Sequence, residues 1–365
     1  MKTTIQGDIL QEKLTTASHF TSSRLGLSEA LQGVLLKGDR ENLHIYATNL
    51  SSYYHAVLPL KMDEEFKVVI DTKKIIEFLG LLGGGSLDIE LEKNTLRIHK
   101  GETVGAFPLV SQEDFPLPPE IKDKGQTVKS SFFLSALPLV LFSASKDESR
   151  PALNGVNFID MDTELGIVST DGFRLSLLKT KKEETISSML IPSGFLYEIL
   201  KYMKVVETVS FCYSPEEKLV LFKIGEDQFY TRLIDGEFPP FEKVIPEEKK
   251  TTIHLDRDEL LTKLKLVSIF ARDASNIVVC EFSKRGLVMR PKTEGGKENL
   301  SQLETKHEGE DQTVAFNFRF VLDFLNNTQE KKIEIEILRP DAPVVFKIEG
   351  RKDFIHIIMP VRIQE

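Results

Sequence analysis

The sequence predicts an α+β protein made of three consecutive repeats, each with two helices and antiparallel sheets. Three observations predict it: an extended-then-helical segment that recurs twice, a short amphipathic helix that recurs with it, and period-two alternation between them.

The first recurring segment reads TIQGDILQEKLTTASHF from Thr4, TVKSSFFLSALPLVLFSAS from Thr127 and TIHLDRDELLTKLKLVSIF from Thr252. Its first apolar residues, Ile5, Val128 and Ile253, lie 123 and then 125 residues apart. The second reads IDTKKIIEFLGLL from Ile70, IPSGFLYEILKYM from Ile191 and FNFRFVLDFLNN from Phe316. These align without gaps, so that Ile75, Leu196 and Val321 correspond, as do the acids Glu77, Glu198 and Asp323. Asp71 and Asn317 suit the N-cap, because a short side-chain oxygen can accept from a free amide of the first turn. Pro192 suits the first turn itself. SLDIELEKNTLRIHKG and KLVLFKIGEDQFYTRL alternate as antiparallel hairpins with one buried face. DFPLPPEI from Asp114 and EFPPFEKVIP from Glu237 read as linkers, which places the domains at 1–122, 123–247 and 248–365.

Two cysteines, Cys212 and Cys280, stand far apart outside any CxxC spacing, which suits a reducing compartment and argues against a zinc site. No apolar stretch approaches the roughly 20 residues that span a bilayer, and the start of the chain is acidic where a signal peptide is apolar. A cytoplasmic protein with no membrane contact and no cofactor is expected. The formal charge of -9, from 56 acids against 47 bases, keeps the molecule as a whole away from polyanions. Any nucleic-acid contact must therefore come from a local basic surface.

Asp160 and Asp162 have a spacing that can serve a divalent ion, and a metal-dependent hydrolase built on them is the rival reading from the enzymes. The stretch DMDTEL has the composition of a hairpin tip, and Asp and Thr favour turns. Gly83, Gly84 and Gly85 resemble a helix stop, with no Gly-Lys-Ser/Thr behind them. Gly295-Gly296-Lys297 also lacks the phosphate-loop frame, and no GxSxG elbow or HExxH occurs. No catalytic residue is assigned.

STDGFRLSLL from Ser169, with LNGVNF before it, LIDGEFPPFEKVIP after it and HIIMPVRI near the end, resembles the bacterial sliding clamp family, the beta subunit of DNA polymerase III. The resemblance covers essentially the whole chain. It implies three clamp domains per subunit, closing as a head-to-tail homodimer into a six-domain ring around double-stranded DNA without sequence preference. It also implies a non-catalytic processivity role, with the polymerase III catalytic subunit, the clamp loader, other DNA polymerases and repair proteins as partners. A clamp-like scaffold that no longer encircles DNA is the rival within binding proteins.

Carried over residue by residue, the resemblance implies a pocket for short hydrophobic peptides formed by Leu153, Thr170, Gly172, Phe173, Arg174 and Leu175, then Pro239, Lys243 and Val244. The third repeat would add Phe320, Val344, Met359, Pro360, Val361 and Arg362. Phe173 stands where the family often has histidine, and Lys243 where arginine is common. DNA would be faced by Lys13, Arg24, Lys73, Lys74, Lys146, Arg150, Tyr197, Lys201, Lys204, Lys263, Arg272 and Arg319. The subunit contact would place Ile269 and Phe270 against a strand edge containing Val104, Ala106, Phe107 and Leu109.

Overall fold

The computed structural model describes residues 1–22, 28–110, 115–121, 125–182, 186–273, 275–292 and 299–362. Arg24, Asp114, the boundary drawn at 122/123 and Gly295-Gly296-Lys297 lie outside the described residues. Six α-helices occur among the described residues: α1 (Gly7–Ser18), α2 (Thr72–Leu82), α3 (Ser130–Leu141), α4 (Ser193–Met203), α5 (Arg257–Ala271) and α6 (Phe318–Asn327). That is two per repeat, each at one of the recurring segments. None is long and apolar enough to cross a membrane.

The helix ends follow their local chemistry. Asp71 accepts from the Lys73 amide and Asn317 from the Arg319 amide, so both cap as expected. Pro192 instead closes the strand Met189–Pro192, and α4 begins one residue later. A fixed φ serves either position, so the residue type marks the junction better than its side. After α2 the chain turns at Gly83, at φ 69°. Lys100 donates to the carbonyls of Leu82, Gly83 and Gly84 at 2.8, 3.0 and 2.7 Å, a cation placed where the helix leaves acceptors unpaired.

The described chain forms two compact units, Met1–Phe132 with Glu198–Leu233, and Phe133–Tyr197 with Ile234–Glu365. The middle repeat is divided between them because each of its sheets is continued by a neighbouring repeat. In the first unit, Asp227–Arg232 of repeat two pairs antiparallel with Ser52–Pro59 of repeat one, giving a twelve-stranded sheet. In the second, Arg174–Lys181 of repeat two pairs with Phe354–Ile358 of repeat three, giving a nine-stranded sheet beside a four-stranded one. The anticipated hairpins are present, Ser86–Glu92 with Thr95–Lys100 and Leu219–Ile224 with Asp227–Arg232, the latter turning at Gly225 with φ 61°.

Apolar helix faces cover these sheets. Ile75 and Leu196 are fully buried and Val321 is 6% exposed, so the aligned stripe is the core face in all three repeats. In the first unit Tyr54 packs against Phe20 and Phe229, and Tyr202 against Phe229, with centroids 5.2 to 5.8 Å apart. Burial of each such ring contributes about 1.5–3 kcal/mol. Lys13 is drawn into this cluster: its ammonium lies 2.9 Å from Asp227, which also accepts from the Tyr54 hydroxyl. With side chains 17% and 10% exposed, the pair is largely buried, and burial pushes the Asp227 carboxyl up. This corrects the expectation that Lys13 faces DNA. Cys212 and Cys280 are free and buried, and burial pushes the Cys280 thiol up to about 12.

Candidate functional site

The Thr-Asp-Gly corner joins the strands Glu164–Thr170 and Arg174–Lys181. Asp171 accepts from the amides of Phe173 and Arg174 at 2.9 and 3.0 Å, and the Thr170 hydroxyl donates to the Arg174 carbonyl at 2.6 Å. Gly172 takes φ 92°, a conformation that disfavours any Cβ. The turn therefore supplies its own partners and leaves the Phe173 ring outside, 58% exposed. The Phe173 carbonyl accepts from the Met359 amide at 2.8 Å, which fixes the corner to the end of the last strand.

Arg174 is held from every side. Its guanidinium donates to Asp171 at 3.0 Å and to Asp323 on α6 at 2.6 Å. It lies 4.6 Å from the centroid of the Phe320 ring and 5.7 Å from that of Phe142, with its side chain 10% exposed. Charge-assisted hydrogen bonds and ring faces together immobilise it.

Beside this corner opens a cavity of about 480 Å³, within the range of ligand pockets. Its floor is core: Leu175, Phe241 and Ile357 belong to one buried cluster with Val168, Leu177 and Val345. Its walls include Leu153, Thr170, Gly172, Phe173, Arg174, Pro239, Val244 and Met359, all implied by the family resemblance. Arg150, Pro151, Ala152, Pro240, Phe241 and Ile357 line it too and were not anticipated. Ile357 stands two residues before Met359, at the end of the strand Phe354–Ile358, and both line the cavity.

Other expected pocket residues lie elsewhere. Val344 is fully buried and paired with Ile358 inside the sheet, so it is core. Phe320 sits behind Arg174, Lys243 is exposed on the turn Glu242–Val244, and Pro360 is half-buried. The Val361 amide is bound to the Ala315 carbonyl at 2.8 Å, and Arg362 is exposed. None of these six lines the cavity. Arg150, expected to face DNA, stands on the cavity rim and pairs with Asp147 at 3.0 Å.

Of the remaining expected DNA-facing residues, Lys73, Lys74, Lys146, Tyr197, Lys201, Lys204, Arg272 and Arg319 are exposed and Lys263 is half-buried. Lys201 donates to Glu198 at 2.6 Å, and His19 contacts the other oxygen of that carboxylate at 2.6 Å. On the strand Thr103–Val110, Val104 and Ala106 are exposed while Phe107 and Leu109 are half-buried. Among the described residues that strand pairs along one edge with Thr95–Lys100 and on the other only at Leu109 and Val110. Ile269 and Phe270 are 55% and 46% exposed near the end of α5. Asp160 is bound to Lys182 at 2.6 Å and Asp162 occupies the hairpin turn at φ 59°. Among the described residues no cluster of three or more His, Cys, Asp or Glu could hold a metal ion.

The profiles of the N-terminal, central and C-terminal domains of the DNA polymerase III beta subunit match residues 1–119, 127–240 and 242–362. The beta sliding clamp of Chlamydia muridarum is 25% identical over 340 residues, covering 92% of each chain. That of Treponema pallidum is 23% identical over 372 residues, covering 99% of this chain and all of its own. The crystal structure of the beta subunit from Thermotoga maritima superposes with a TM-score of 0.90 at 26% identity over the full length of both chains. The Bacillus subtilis sliding clamp gives 0.90 at 22%, also over both full lengths, which speaks for the fold. With three successive domain matches spanning nearly every residue, the chain belongs to the DNA polymerase III beta subunit family.

Proposed function

We propose that the chain is a sliding clamp in DNA replication: two copies close head to tail into a ring of six domains around duplex DNA and tether a polymerase to it. The domains are taken as 1–122, 123–247 and 248–365; the family matches at 1–119 and 127–240 fall within the first two, and the third, 242–362, begins six residues before the proposed boundary at 248. The chain is an accessory subunit and brings no catalysis of its own.

One observation carries the reading. The same sheet edge is joined twice within the chain, Ser52–Pro59 to Asp227–Arg232 and Arg174–Lys181 to Phe354–Ile358. The corresponding edge of repeat three is Ser301–Leu303, which ends its sheet among the described residues, and the corresponding acceptor in repeat one is Thr103–Val110, with most of one edge unpaired among them. Applying the same joint between two chains uses both open edges, and a rotation that closes yields a ring where an open one would yield a fibre. Exposed apolar Val104, Ile269 and Phe270 are the groups such a contact would cover.

Exposed lysines and arginines on the helices would meet phosphates and read no bases, so binding is weak, salt-dependent and independent of sequence. Weak contacts permit sliding while closure prevents escape. The apolar cavity beside Phe173 takes the Leu or Phe anchors of short peptides from polymerases, the clamp loader and repair proteins. Met359 there adapts to varied partners.

The test is retention on nicked circular DNA after loading by a cognate clamp loader with ATP, followed by one cut. Retention in high salt that ends on linearisation is expected. Retention indifferent to the cut would mean ordinary surface binding and would remove the ring from the proposal.

A further inference from the structure

In the first unit the strands Asn42–Thr48 and Ser52–Pro59 bring two histidines together on one face of the twelve-stranded sheet. Tyr46 is paired with His55 and His44 with Val57, so His44 and His55 are diagonal neighbours on adjacent strands. His44 Nδ1 lies 3.1 Å from His55 Nε2. The other nitrogen of each ring is already engaged. His44 Nε2 is 2.9 Å from Asp39 Oδ2, and this contact keeps the carboxyl ionised, at about 2. The second oxygen of Asp39 accepts from the amides of Glu41 and Asn42 at 3.2 and 2.8 Å, so the acid is fixed in its own turn. His55 Nδ1 is 3.3 Å from the Gln228 amide oxygen, which also accepts from the Tyr230 hydroxyl. The Tyr46 ring covers His55 at 4.2 Å.

An acceptor on each outer nitrogen places the ring proton there. Both inner nitrogens then present lone pairs, which repel one another at 3.1 Å unless a cation joins them. A proton does not serve at neutral pH, because burial pushes His55 down to about 4 and keeps it neutral. A metal ion takes neutral imidazole. Two nitrogens bound side by side to one ion, at about 2.0–2.1 Å each, lie about 2.9–3.4 Å apart. The observed separation falls in that interval. We propose that His44 Nδ1 and His55 Nε2 form a two-histidine site for a divalent transition-metal ion of the zinc, nickel or copper kind, with water completing its coordination and Asp39 and Gln228 fixing the rings from behind. Imidazole suits these metals, whereas magnesium and calcium take oxygen. A carboxylate behind a ligating histidine holds its tautomer and raises its basicity. With two protein ligands the site is half of a four-ligand centre, and it is distinct from the three-residue clusters that are absent among the described residues. Lys37, Lys67 and Lys223 stand in register on the same face and are exposed, so water screens their charge.

The experiment titrates zinc chloride into full-length protein, freed of metal with a chelator, in a calorimeter at about pH 7.5, where both imidazoles are neutral. One ion per chain is expected, with a dissociation constant on the order of 10 μM, since two ligands supply about half the binding free energy of a four-ligand centre. His44→Gln removes one ligand without touching the His55 and Gln228 pair between repeats one and two, and should weaken zinc by about a hundredfold. Asp39→Asn keeps both ligands and should weaken zinc by about tenfold at unchanged stoichiometry. Zinc should also raise the urea midpoint of the wild type and leave that of His44→Gln in place. No binding by the wild type at about 1 mM zinc overturns the proposal. So does an affinity unchanged in His44→Gln, which would put the ion on another histidine. An affinity unchanged in Asp39→Asn overturns the anchoring that sets the two lone pairs face to face.

Discussion

His356 offers a quantitative test of how the joint between repeats two and three is built. It is fully buried on the strand Phe354–Ile358, opposite Ser176. Its Nδ1 is 2.8 Å from the Ser176 hydroxyl, which lies 2.8 Å from that of Ser143, and among the described residues its Nε2 has no hydrogen-bond partner. Phe142, Phe324 and Phe346 surround the ring, with centroids 5.1, 5.3 and 6.2 Å away. Burial, reinforced by the nearby positive charge of Arg174, pushes the imidazole down to about 3 from 6.5. A histidine depressed in this way favours the fold only while it is neutral. Above pH 6.5 that contribution is complete, and as pH falls toward 3 the unfolded chain takes up a proton that the folded chain refuses. At about 1.4 kcal/mol per pH unit below 6.5, the loss at pH 5 is about 2 kcal/mol. Urea unfolding followed by circular dichroism at pH 7 and pH 5 measures it. His356→Phe fills the same aromatic site without a titrating group and should remove about 2 kcal/mol of the pH-dependent loss, whatever its own stability at pH 7. An equal loss in variant and wild type would refute the reasoning, because the titrating group would then lie elsewhere.

Three further outcomes separate roles that resemble one another in sequence. Lys13→Met should destabilise the protein by roughly 3 kcal/mol, since it strands Asp227 without its partner; Lys73→Gln combined with Lys74→Gln should leave stability within about 0.5 kcal/mol. In DNA titrations against salt the double variant should lower the slope by up to about two units. Gly309→Ala would place a Cβ 2.0 Å from the Lys250 carbonyl oxygen at φ 108°. A cost of roughly 3 kcal/mol or more in urea unfolding is expected from the strain and the clash. Gly225→Ala, with nothing within 4 Å at φ 61°, measures the conformational part alone, about 1 kcal/mol. Met359→Ala should weaken an apolar peptide about tenfold in anisotropy titrations, while retention on circular DNA stays as in the wild type.

The elements were legible because their signals are local. Alternation and caps act within a few residues, so six helices, the hairpin turns and the buried stripes of α2, α4 and α6 could be read from the sequence. Long-range partners could not. Nothing near Lys13 announces Asp227, 214 positions later, and a surface lysine and a buried one have the same local sequence. Arg150 shows the same limit, since a loop after a first helix can turn toward either face, and here it borders the cavity. Val344 begins a strand, and its burial follows from pairing with Ile358 rather than from its neighbours. Asp323 was visible as one of three aligned acids, but Glu198 at the equivalent place binds Lys201. The repeat keeps the position of the acid, but its partner is local on α4, where Lys201 follows three residues later, and distant on α6, where it is Arg174.

The two joints between repeats raise the question of what holds their register, because a one-residue slip of a strand turns every side chain to the opposite face. Each joint carries a polar cross-strand pair that such a slip would break. In one, Ser176 faces His356 in full burial. In the other, His55 faces Gln228, with its Nδ1 3.3 Å from the amide oxygen and its ring 4.2 Å from that of Tyr46. Burial pushes His55 down to about 4, so both joints hold a neutral imidazole and both are weakened by acid in the same direction. A two-residue slip would keep every apolar side chain on its own face, and there the polar pair discriminates, since a buried polar atom without its partner costs about 1–3 kcal/mol. The joints therefore combine apolar area for strength with hydrogen-bonded pairs for uniqueness, the joint of repeats one and two adding a contact of 3.3 Å between the Ser52 and Thr231 hydroxyls. A chain that repeats one sheet edge three times needs that uniqueness, since three similar edges could otherwise pair in more than one order.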